Sequence, residues 1–139
     1  MDLKEMMKAS PFHRWLDVEL IQVEPGKVQI RLPFREEFLG SDDRTNIHGG
    51  IISALADITA CFAMMSSTGG DAPNLNLQVD YLRMAGPETD LIGTGVTVKA
   101  GRTVGVADVQ VHTPEGRLIA VARSTLINSA PSRDQLTKG

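Results

Sequence analysis

One cysteine, one tryptophan and one tyrosine are spread over 139 residues. A lone thiol forms no internal disulfide, so a reducing compartment is the expected home. Basic blocks and stripes are absent and the net charge is −3, so nucleic acid is not an expected partner. The opening MDLKEMMKASPF lacks an apolar core of signal-peptide length, so export is not expected and a cytoplasmic location is. His13, His48 and His112 have no metal-ligand spacing, so neither a metal nor a cofactor is expected. Only residues 47–65 approach the length of a membrane span. Asp57, two glycines and several Ser and Thr within them favour a buried core helix, and no membrane partner is expected.

What is present describes an ordinary globular chain, 42% hydrophobic and 22% charged, of a length that fits one domain. A short helix before Pro11 carries Leu3, Met6 and Met7 on one side. Two strands follow around the turn dipeptide Pro25-Gly26, the second alternating Val28, Ile30 and Leu32. The polar stretch REEFLGSDDRTN reads as a loop into Gly49-Gly50, with the helical pattern beginning at Ile51. Beyond the loop SSTGGDAPN, Leu75, Leu77, Val79 and Tyr81 alternate in a half-buried strand. Three further strands follow, with turns near Ala100-Gly101 and at TPEG. Short links imply antiparallel pairing. A helix that is apolar nearly all round needs cover on several sides, which one curved antiparallel sheet supplies. The fold class expected is α+β. The expected division is a helical segment over 1–14, a main domain over 15–128 and a disordered tail over 129–139.

Two features of the central run carry chemistry. Gly49 and Gly50 stand at a helix start, where glycine lets another molecule approach the backbone and the first N–H groups have no internal partner. Such a tip suits a carbonyl oxygen that gains negative charge in a transition state. Asp57 lies about two turns inside, too deep to be a cap, and burying its charge unpaired is costly. Either small polar neighbours satisfy it, or it is held in a partly dry cleft as base or nucleophile. Positions 49 and 57 are eight apart, about 12 Å of helical rise, so one helix does not bring both to a single carbonyl. Two antiparallel copies across a two-fold axis would. A catalytic site built on this pair requires at least a dimer.

HGGIISALAD, with an acid nine positions after the histidine, resembles the hot-dog-fold thioesterases of the phenylacetate-pathway (PaaI-like) type. The similarity runs on through NLQVDYLRMA and KAGRTVGVADVQVHTPEGRLIAVARSTL, covering roughly residues 15–128. The resemblance implies a long helix wrapped by a curved antiparallel sheet, assembly into dimers or dimers of dimers, and hydrolysis of acyl-CoA. By position it implies Asp57 as general base or nucleophile, Gly49 as the N–H that polarises the thioester carbonyl, and His48 as the neighbour that orders the site. Asn74 falls near the place where many relatives carry a Ser or Thr close to the attacking water. Arg83, Gly101 and Arg102 lie in segments that border the CoA chain or its phosphates. Gly50 shares the open approach at the helix start. One position departs from the pattern: six residues before the histidine, relatives carry Asn or Gln, and this chain carries Asp42. An ionised aspartate offers no donor; Asn46 is a substitute offset by four residues. A non-catalytic acyl-CoA-binding or sensing protein on the same fold is therefore the competing reading.

Other reactive side chains fit core roles. Cys61 has no evident base or electropositive neighbour, and reads as a small buried hydrophobe. Ser53, His48 and Asp57 form a triad only on paper, without a G-x-S-x-G elbow. Phe62, Met64, Met65, Phe12 and Trp15 read as packing residues.

Overall fold

A computed structural model of the chain describes residues 2–129. Its elements are α1 (Leu3–Ala9), α2 (Pro11–Leu16), β1 (Glu19–Glu24), β2 (Lys27–Leu32), a 3₁₀ turn (Glu36–Phe38), α3 (Gly49–Thr68), β3 (Asn74–Tyr81), β4 (Leu91–Ala100), β5 (Val104–His112) and β6 (Leu118–Ile127). Pro11 ends one N-terminal helix and opens another, a position where its missing N–H costs nothing. Met7 and Leu16 from these helices join the core. Of the tail expected over 129–139, only Ser129 lies among the described residues; its N–H donates to the Asp71 carbonyl at 3.2 Å.

All six strands form one antiparallel sheet in the order β1-β2-β4-β5-β6-β3. Gly26, at φ +84, makes the expected β1–β2 turn. The expectation that short turns join the last four strands holds for β4–β5–β6 and fails for β3. That strand pairs with β6, so segment 82–90 carries the chain to β4, on the far side of β5 and β6. Periodicity reported β3 correctly as a strand and said nothing about its neighbour, because pairing is a long-range choice.

The sheet wraps α3, as the apolar run requires. Ile52, Leu55, Ala56, Ile58, Thr59, Ala60, Phe62, Ala63, Met64 and Met65 are buried along the helix. This is the one described helix long and apolar enough to cross a membrane, and here it is the core of the sheet. Close packing comes from glycines on the inner face of β4: a Cβ at Gly93 would lie 2.3 Å from Thr59 Oγ1, and one at Gly95 2.9 Å from the Thr59 carbonyl. Thr59 is not free to turn away, because its hydroxyl donates to Leu55 O at 2.6 Å. Gly93→Ala is therefore expected to cost about 1–3 kcal/mol by overpacking. Thr59→Ala in the same chain should recover most of that loss, a coupling that a denaturant double-mutant cycle reads directly.

One stripe of α3 escapes the sheet. Gly50, Ala54, Asp57 and Cys61, at helical spacing, are exposed or half-buried. The acid thus sits on the least covered face of an otherwise buried helix.

Candidate active site

The tip of α3 begins at Gly49, two residues before the expected start, because His48 caps it. The His48 Nδ1 accepts the Gly50 N–H at 2.8 Å, so the neutral ring carries its proton on Nε2. Ile51 and Ile52 donate to the His48 carbonyl at 3.0 and 3.4 Å, and the His48 N–H donates to Phe38 O at 2.7 Å. Among the described residues these bonds account for every amide from 48 to 52 except one. The Gly49 N–H has no acceptor among the described residues. A helix start with a single unclaimed amide is an electrostatic socket for a developing oxyanion.

The loop before the tip is shaped to deliver His48. Leu39 and Ile47 bridge antiparallel, and Ile47 donates to Ala85 O at 2.9 Å. Gly40 lies so close to His48 that a Cβ there would be 2.7 Å from the histidine Cβ. Asn46 is part of this closure: its carbonyl accepts from Gly40 N at 2.9 Å and its amide donates to Thr45 at 3.0 Å. Asp42 is exposed in this loop. Its neighbour Asp43 is the anchored acid, held below the usual carboxylate range by hydrogen bonds from Ser41 and Thr45.

Asp57 is half-buried and has no hydrogen-bond or ion-pair partner among the described residues. The alternative in which Ser, Thr or backbone donors satisfy it is therefore absent from the described protomer. Burial pushes its pKa up, opposed by attraction to His13 on α2. His13 presents its ring edge-on to Phe62 at 5.9 Å and donates from Nδ1 to the Met7 carbonyl at 3.1 Å. Its own pKa is lowered by burial, against the Met7 bond and the Asp57 charge. Sequence reading missed His13, since nothing local marks a residue that reaches another helix. Cys61, one turn beyond Asp57, has its thiol pushed up to about 12, chiefly by burial; it stays protonated at neutral pH and is a poor nucleophile.

The remaining expected residues divide between the two ends of the sheet. Arg83 lies at the Gly49 end, where its guanidinium donates to Leu118 O at 2.9 Å. Asn74 opens β3 at the opposite end, seven residues from Tyr81 or roughly 23 Å of strand, and donates to Ser124 Oγ at 2.7 Å. Gly101 and Arg102 lie at that far end too, in the β4–β5 turn. Gly101 packs so tightly that a Cβ would meet Val104 O at 2.3 Å, and its carbonyl accepts from Asn128 at 2.8 Å. Arg102 is exposed. Within one protomer, then, His48, Gly49 and Gly50 form one cluster, Asp57 lies about two turns further along α3 facing His13, and Asn74, Gly101 and Arg102 stand at the end of the sheet opposite Gly49. Among the described residues no group of three or more His, Cys, Asp or Glu is placed to hold a metal ion.

Comparison with known proteins agrees with this architecture. Residues 45–120, which span the cap, α3 and most of the sheet, match the thioesterase superfamily model. The medium/long-chain acyl-CoA thioesterase YigI of Escherichia coli K12 is 28% identical over 130 residues, 83% of each chain. Zebrafish thioesterase superfamily member 2 superposes with a TM-score of 0.80 at 30% identity, over 91% of this chain and 96% of its own. A hypothetical thioesterase from Streptococcus pneumoniae, solved with coenzyme A, gives 0.74 at 26% identity, over 81% and 86%. With its helix start and wrapped sheet inside the matched span, the chain belongs to the thioesterase superfamily and is a thioester hydrolase.

Proposed function

We propose that this protein hydrolyses acyl-CoA thioesters in the cytoplasm, at sites shared between two copies of the chain. One observation carries the reading: α3 holds both a single unclaimed tip amide at Gly49 and an unpaired, half-buried carboxylate at Asp57. They lie too far apart on one helix to act on one carbonyl, by about 12 Å of rise. An antiparallel partner resolves this. Both the uncovered stripe of small residues around Asp57 and the unpaired edge of β3 support such a partner. Tyr81, at the end of β3, meets Gly49 at the start of α3, so strand and helix run in opposite directions. Two β3 edges joined antiparallel about a two-fold axis would therefore carry two antiparallel α3 helices side by side.

In such a site the thioester oxygen accepts from the Gly49 N–H of one protomer. Asp57 of the other takes a proton from water as the water oxygen bonds to the acyl carbon, or attacks that carbon itself to give, once the thiolate has left, a mixed anhydride that water hydrolyses to the free acid and the regenerated carboxylate. The tetrahedral centre then collapses, the C–S bond breaks and the thiolate leaves, to be protonated. Each route needs the carboxylate ionised. Because burial raises the Asp57 pKa, kcat/KM should rise with pH through a midpoint above the ordinary carboxylate range. Asp57→Asn should abolish that limb from any residual rate. The linked stability effect has the opposite sense. With the folded pKa above the unfolded one, the stability associated with Asp57 is complete below the unfolded value and is lost as pH rises through the folded one.

The coenzyme A held by the Streptococcus pneumoniae structure and the medium/long-chain acyl-CoA thioesterase activity of YigI support CoA as carrier and put medium and long chains first among candidates. The test is a panel of acetyl-, medium-chain, long-chain and arylacyl-CoAs with a thiol-trapping reagent. Release of free thiol supports the proposal; saturable binding without release supports the sensing alternative and removes this one.

A further inference from the structure

Two glycines at the first positions of a helix make a poor support for a directional hydrogen bond, because glycine loses the most conformational freedom on ordering. Something must hold the tip. On one side the His48 carbonyl and ring do so, fixing the peptide that carries the Gly49 N–H and the amide that follows it. The other side is held by Tyr81. Its hydroxyl donates to the Gly49 carbonyl at 3.1 Å and also meets Ser53 Oγ. Since the phenol has one proton and commits it to Gly49, Ser53 is the donor in the second bond. The chain Ser53 O–H to Tyr81 O–H to Gly49 C=O polarises in one sense, which strengthens its final link. The ring packs as well as pins, for a Cβ on Gly49 would stand 3.3 Å from Tyr81 Cε1.

We infer that Tyr81, with Ser53, is a positioning residue for the Gly49 amide, fixing from the edge strand the backbone that receives the thioester oxyanion. Tyr81 is 52% exposed, at the end of the apolar face formed by Leu75, Leu77 and Val79. An aromatic placed only for burial would not spend its hydroxyl on a first-turn carbonyl. The inference rests on the proposed hydrolysis and adds to it an aligned amide as a requirement for rate.

The experiment compares the wild-type protein with Tyr81→Phe, Ser53→Ala and the double variant on an acyl-CoA that the wild type turns over. Removing the hydroxyl leaves the ring and β3 in place. The expected result is a fall in kcat of about tenfold, the scale that slight misplacement of a reacting group produces. KM should stay within about twofold, and the pH midpoint of the acid limb should not move, because Asp57 is untouched. Ser53→Ala should lower kcat through the same chain, and the double variant should be no worse than Tyr81→Phe alone. Unchanged kcat in Tyr81→Phe would overturn the inference, as would a rate loss matched by a loss of folded protein in thermal melts. A wild type without turnover would instead remove the proposed function beneath it, so the two failures are distinguishable.

Discussion

Asp57→Asn is expected to lower kcat by about 10²–10⁴-fold, the range supplied by a positioned base, without loss of the folded assembly. The asparagine keeps the size and shape of the side chain. It removes a charge that has no partner among the described residues and whose burial raises its pKa. Denaturation at neutral pH should therefore find the variant at least as stable as the parent, the exchange of stability for activity seen where a site holds an unfavourable group for a purpose. An acid kept for structure behaves in the opposite way, with unchanged turnover and lower stability. Measuring rate and melting temperature on one preparation distinguishes the two.

Gly49→Pro is the second large effect. The first helical position tolerates proline, whose missing N–H is one the helix does not use. His48, at φ −60 and ψ 135, already has the extended ψ that a residue preceding proline needs. The substitution thus deletes the Gly49 amide with little reason to disturb the rest of α3. Loss of one oxyanion donor costs about 10²–10³ in kcat. Gly49→Ala is the control: it brings the same Cβ toward Tyr81, 3.3 Å from the ring edge, and retains the N–H. A large loss in proline with a small one in alanine assigns the effect to the amide. Equal losses would assign it to crowding against Tyr81.

Much of this was legible in the residues. An apolar run with one acid announced a wrapped helix; that Asp57 lies on its least covered stripe is visible only in the structure. Strand periods announced β2 and β3, since Val28, Ile30 and Leu32 turn inward as their alternation requires. Local pattern could not disclose what depends on distant pairing. β3 joins β6 rather than its successor, and that choice brings Tyr81 to Gly49, which is why neither Tyr81 nor Ser53 stood out. His13 was hidden for the same reason. The helix start was misplaced because a histidine cap is less familiar than Ser or Asp, although it does the same work on Gly50. Asn74, Gly101 and Arg102 rest on resemblance alone, and within one protomer they stand at the other end of the sheet from Gly49.

The central claim is that each site takes its carboxylate from one chain and its amide from another. Co-expression of Asp57→Asn and Gly49→Pro chains under different tags, with tandem purification of the mixed dimer, tests it. Each parent homodimer is expected to keep no more than about a hundredth of the wild-type rate. The mixed dimer should recover about half the wild-type activity, because one of its two symmetric sites then draws both groups from unaltered positions. A mixed dimer as inactive as its parents would contradict the account.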